Sequence, residues 1–116
     1  MSHKLKNYLR THRRRYALSQ EDLAFLLGIK SRTTISHYEM FQRVPDLKTA
    51  LTLQAVFGTP VVELFAGIYE QIEKETAKRA RILLEREEGT ASGRRNSRKD
   101  LLRAIVITPD INKENP

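Results

Sequence analysis

A chain of 116 residues has room for one compact domain plus an extension, and its 40% apolar content fits a globular protein with one core. Lys and Arg number 21 against 14 Asp and Glu, and this formal charge of +7 points to a polyanionic partner, nucleic acid ahead of an anionic membrane surface. The lack of cysteine excludes a disulfide framework or thiolate metal site, and no run reaches the roughly 18–20 apolar residues of a membrane span.

The three histidines, His3, His12 and His37, lack ligand spacing, so neither a metal nor any other cofactor is expected. The opening MSHKLKNYL has no apolar signal core, and the expectation is a soluble cytoplasmic, nucleoid-associated protein. Residues 1–60 hold ten Lys and Arg against four Asp and Glu, whereas residues 61–116 hold eleven against ten. The basic surface therefore belongs to the first half.

In chain order, Leu5, Tyr8 and Leu9 recur at helical spacing and predict an amphipathic helix over about 3–15. Ser19 and Asp22 have the form of a capping box for a second helix, about Gln20 to Leu27, with Leu23, Leu26 and Leu27 facing inward and Gly28 ending it. A third helix is expected over about Thr33 to Met40. Asp46 caps a fourth over Leu47 to Phe57, which Gly58 closes. Thr59-Pro60 starts a fifth that continues to about Glu88, supported by acid-first pairs Glu70 with Lys74 and Glu75 with Arg79. Within it Phe65, Ile68, Tyr69, Ile72 and Leu83 supply core side chains and, beyond Ile72, subunit contacts. GTASGRRNSRK, residues 89–99, reads as a basic linker. DLLRAIVI fits either a short helix or a strand, and TPDINKENP reads as a frayed end.

The third helix carries the functional signal. At about 100° per residue, Ile35 and Tyr38 share an inward face, and Thr33, Ser36, His37 and Met40 form one outward stripe. That stripe is small, almost uncharged and rich in hydrogen-bonding groups, unlike the Lys and Glu of an ordinary solvated helix. A major groove admits such a helix. Arg32, Thr33, Ser36 and His37 are the candidates for base edges, and Gln20, Lys30, Ser31, Gln42 and Arg43 those for phosphates.

The spaced set Gln20, Leu23-Ala24, Leu27-Gly28, Ile35-Ser36, Glu39, Arg43, Pro45 and Phe57-Gly58 to Leu64-Phe65 resembles the phage-repressor and Cro-type helix-turn-helix family, also called the xenobiotic-response-element family. The resemblance covers about residues 5–67. It implies an all-α, five-helix DNA-binding domain whose third helix enters the major groove, commonly as a homodimer. It also implies an ion pair between Arg13 and Glu39. Two departures stand out: one additional residue lies between Gly28 and Ile35, and Phe41 replaces the family's usual glycine after the recognition helix.

The expected organisation is thus a helix-turn-helix domain over 1–67, a helical extension over 68–88 and a basic linker and tail over 89–116. The expected function is a sequence-specific transcriptional regulator of double-stranded DNA, a repressor in its mode of action. The alternative is an antitoxin or adaptor whose C-terminal region binds a partner protein. No nucleophile and base arrangement, metal cluster, phosphate-binding glycine loop or paired carboxylates suggest an enzyme.

Overall fold

The computed structural model describes residues 4–88 and 96–114, and these contain seven helices and no strand. They are α1 Leu9–Arg15, α2 Gln20–Leu26, α3 Arg32–Glu39, α4 Leu47–Phe57, α5 Val61–Leu64, α6 Ala66–Glu88 and α7 Asn96–Glu114. The chain divides into two compact units, Met1–Ile68 and Tyr69–Pro116.

The first unit is built around Leu9, Leu23, Ile35, Leu53 and Leu64, all fully buried, with Ala24, Tyr38, Phe57 and Phe65 completing the core. Leu27, Ile29 and Ile68 pack against it. The predicted inward pair of α3 is therefore inward. Two other expected core residues are not: Leu5 is 48% exposed and Leu26 is 47% exposed. On α2 the inner face passes through Leu23, Ala24 and Leu27, which places Leu26 on its flank.

Helix starts follow the expected chemistry. The Ser19 hydroxyl accepts from Asp22 N–H, and Ser19 N–H donates back to the Asp22 carboxylate, each at 2.9 Å. Asp46 accepts from Thr49 N–H at 2.9 Å, so α4 begins and ends where its signals place it. At α1 the expectation of 3–15 fails at its beginning, because the backbone of residues 5–8 is engaged elsewhere. Tyr8 N–H donates to the Leu64 carbonyl and Gly67 N–H to the Leu5 carbonyl, both at 2.8 Å. The first two turns of a longer helix would need these same groups.

This strap also divides the expected fifth helix. Because Gly67 N–H is spent on Leu5, the i to i−4 ladder breaks and Phe65 leaves helical geometry at φ −115°, ψ 42°. A Cβ at position 67 would collide with the Leu5 carbonyl, so only glycine permits the approach.

Three helices end alike. In each, the residue after the cap takes a left-handed conformation, its N–H reaches back three residues, and the next N–H reaches back five: Gly28 and Ile29 after α2, Ala17 and Leu18 after α1, Phe41 and Gln42 after α3. Their φ angles are +71°, +55° and +63°. Phe41, which stands where the family usually has glycine, thus takes a left-handed conformation that glycine adopts without strain.

In the second unit Ala77, Ala80 and Leu102 are buried, and Tyr69 and Ile72 are 43% and 50% exposed. Lys74 pairs with Glu70 at 3.3 Å as expected, whereas Glu75 accepts from Gln71 at 3.0 Å instead of pairing with Arg79. The ambiguous DLLRAIVI is helical. α7 begins at Asn96, inside the stretch expected as linker, and runs through most of the expected tail. Residues 89–95 of that linker lie outside the described residues.

Candidate nucleic-acid interface

α3 is held from behind by groups that leave its outer face free. Arg13 Nε donates to Glu39 Oε2 at 2.6 Å and its Nη2 to Oε1 at 3.1 Å, a bidentate pair joining the end of α1 to the end of α3. Arg13 Nη1 also donates to the Leu18 carbonyl at 2.9 Å. The hydrogen bond to Glu39 raises the Arg13 pKa above its ordinary value; burial opposes this and the charge of Glu39 adds to it. The side chains are 12% and 3% exposed. The only carboxylate on α3 is thereby turned inward and paired with a cation.

A second anchor was not foreseen. Asn7 is 4% exposed, and its Nδ2 donates to the Tyr38 carbonyl at 2.8 Å while its Oδ1 accepts from Leu9 N–H at 3.1 Å. It caps the start of α1 and holds a carbonyl of the last turn of α3, groups that a helix cannot satisfy internally. The residue lies within a stretch whose apolar spacing hides its role.

On the outer side, Arg32 and Thr33 are exposed, Ser36 and His37 half-buried, and Met40 is 60% exposed. The predicted stripe is present, and the Ser36 hydroxyl lies 3.5 Å from Met40 Sδ. Lys30, Ser31, Gln42 and Arg43 are exposed on either side of the helix in sequence. Ser31 caps α3 by accepting from Thr33 N–H at 3.1 Å, which leaves its hydroxyl hydrogen to donate. Gln20 donates one amide hydrogen to Glu39 Oε1 at 3.2 Å, and its second amide hydrogen remains for another acceptor. The additional residue of the turn is absorbed at the surface: Ile29 packs on the core, and Lys30 and Ser31 carry the chain out to Arg32 at the first position of α3. A groove lined by Glu21, Phe25, Ile29, Lys30, Arg32 and Thr33 opens beside this turn.

α2, a tight turn and α3, tied together on one core with a polar stripe outward, are matched by the Helix-turn-helix family model over residues 9–64. An uncharacterized HTH-type transcriptional regulator of Methanocaldococcus jannaschii is 41% identical over 69 residues, which make up 60% of this chain and 100% of that protein. The chain belongs to the Cro/C1-type helix-turn-helix family. No solved structure matches it. α2 and α3 are the two helices of its helix-turn-helix. Among the described residues no group of His, Asp and Glu is arranged to hold a metal, and no helix is long and apolar enough to cross a membrane.

Proposed function

We propose that this helix-turn-helix protein is a repressor that reads operator half-sites in double-stranded DNA by laying α3 in the major groove. The observation that carries the reading is the outward stripe of α3, free of carboxylates and bounded by exposed cations at Lys30, Arg32 and Arg43. Arg32 donates to guanine O6 and N7, Thr33 and Ser36 meet base edges, and His37 reaches a base farther along. Lys30, Ser31, Gln42 and Arg43 hold phosphates on both sides, and Gln20 joins them with its second amide hydrogen. Two copies on paired half-sites about one helical turn apart then exclude polymerase by occupancy.

Electrophoretic shift against random genomic fragments tests this reading, and no retarded DNA at low salt would overturn it. Arg32→Ala and His37→Ala are expected to reduce discrimination between sites. Arg43→Ala should weaken all sequences alike and lower the salt slope by about 1. Equal losses on specific and random DNA for all three would contradict the division of roles.

A second reading is favoured by α7, which presents Leu101 at 62% and Ile107 at 50% exposure. In it the C-terminal region binds a partner protein, as in an antitoxin or adaptor, and DNA binding serves autoregulation. Co-purification at native expression, lost on deletion of residues 89–116, would support it.

A further inference from the structure

Three features meet at the turn between α2 and α3. The turn is one residue longer than the family's usual one, and Lys30 and Ser31 carry that length out to the surface. Phe25 is 83% exposed, more than any other large apolar side chain among the described residues. Glu21, Lys30 and Arg32 have no ion-pair partner among the described residues. A single exposed ring or a single solvated charge calls for no explanation. Here they line one groove of about 730 Å³, within the span of about 300–1,000 Å³ typical of small-molecule sites.

The groove has two chemically different walls. α2 supplies one, with Glu21 and Phe25 four residues apart and so on one helix face. Ile29, packed on the core, lines the base, and Lys30 to Thr33 form the wall across from α2. The α2 wall offers an aromatic face and a carboxylate that accepts hydrogen bonds. The other wall offers two cations and the hydroxyls of Ser31 and Thr33. Ser31 Oγ already accepts from Thr33 N–H, so its hydrogen is left to donate.

This arrangement matches a flat ring that bears an anionic group at one side and an N–H or O–H donor at another. Phe25 stacks on the ring, Lys30 and Arg32 neutralise the anion, and Glu21 accepts from the donor. Duplex DNA does not fill the same role, because its bases are stacked on one another and present no ring face to Phe25. A free small molecule presents one.

We propose that the groove beside the turn binds a small planar aromatic anion, a mononucleotide or an aromatic carboxylate, and that its occupation competes with DNA. The competition rests on the reading of α3 as the DNA-contacting helix, since Lys30 and Arg32 would serve both ligands. An anion held by these cations withdraws them from the duplex. The ligand therefore lowers affinity for DNA, and DNA lowers affinity for the ligand by the same factor.

The test follows amide chemical shifts of the full chain with four probes: adenosine monophosphate, para-aminobenzoate, adenosine and inorganic phosphate. Saturable shifts centred on Phe25 and residues 29–33 are expected with one or both of the aromatic anions, and the one that binds names the anionic group. Adenosine lacks the anion and phosphate lacks the ring, so each should bind at least about 10-fold more weakly. Phe25→Ala should weaken the bound probe about 10-fold and leave affinity for DNA unchanged. On a duplex that the wild type selects from random sequence, saturating probe should lower DNA affinity about 10-fold.

No saturable shift with either aromatic anion, phosphate binding as tightly as both, or unchanged probe affinity in Phe25→Ala would each overturn the site. Equal losses of probe and DNA in that variant would also overturn it, because Phe25 would then be a DNA contact. Probe and DNA bound together without mutual weakening would overturn the competition. Failure of the wild type to bind DNA without probe refutes the reading of α3 and the competition with it, while the shifts alone decide the site.

Discussion

Replacing Arg13 by methionine should cost far more than the exposure of a guanidinium suggests. The substitution leaves the Glu39 carboxylate, 3% exposed, with the Gln20 amide as its remaining side-chain donor. Orphaning one member of a buried pair costs about 3–5 kcal/mol, and the lower end applies here because Arg13 itself reaches the surface at 12% exposure. Glu39→Gln is milder. The amide oxygen still accepts from Arg13, and the guanidinium keeps the Leu18 carbonyl, so the loss is that of charge-assisted hydrogen bonds, about 1.5–3 kcal/mol. The double variant Arg13→Met, Glu39→Leu removes both desolvation penalties and should cost no more than about 2 kcal/mol. Urea unfolding followed by far-UV dichroism measures all three, provided that the dependence on urea concentration stays constant across the series. A double variant that costs as much as Arg13→Met alone, or an Arg13→Met cost below about 1 kcal/mol, would refute the view that this pair is held by mutual compensation. Because the pair joins α1 to the last turn of α3, Arg13→Met should also blunt discrimination between DNA sites without removing any DNA-facing group.

Ala17→Gly should stabilise the protein by about 0.5–1 kcal/mol, since relief of a left-handed alanine outweighs the added freedom of the unfolded chain; a lower melting temperature would contradict this. Asp22 and Asp46 are held below the usual carboxylate range, chiefly by the backbone N–H donors of Ser19 and Thr49. With folded pKa values depressed, their contribution is complete above the unfolded carboxylate pKa and is lost as pH falls through the folded value. Asp22→Asn and Asp46→Asn should therefore flatten the acid limb of a stability profile below about pH 4, and an unchanged limb in urea melts across that range would count against the caps. Gly67→Ala should destabilise by about 1–3 kcal/mol through collision with the Leu5 backbone, and a neutral urea midpoint would mean that the strap yields.

Where a local rule governs, the sequence could be read. The capping box at Ser19 and Asp22, the cap at Asp46 and the glycines at 28 and 58 set helix limits through short-range chemistry, and together they bound the two helices that flank α3. Ile35 and Tyr38 declared the buried side of α3, and by exclusion its outer side. The misreadings came from partners distant in sequence. Leu5, Tyr8 and Leu9 have helical spacing, but the backbone of Leu5 and Tyr8 is claimed by Gly67 and Leu64, about sixty residues on. The same claim breaks the long helix at Phe65, where no proline or inserted charge gives warning. Asn7 looks like a surface residue until Tyr38 is placed beside it. Nothing in the sequence marks Ala17 as left-handed, and Phe41 is flagged only by standing where the family usually carries glycine. An eight-residue apolar run could not be assigned by period alone, and so α7 stayed open.

The strap from Leu5 to Tyr8 has a practical corollary for where this domain begins and ends. A fragment trimmed to residues 9–64, the limits of the family match, would lose Asn7 and Tyr8 at one end and Gly67 at the other. The Leu64 carbonyl would lose Tyr8 N–H, and the Tyr38 carbonyl would lose the Asn7 amide and keep only Phe41 N–H. In terms of hydrogen bonds, the smallest self-sufficient piece runs from Leu5 to at least Gly67. The flanks that the family match leaves out are what close the fold behind α3.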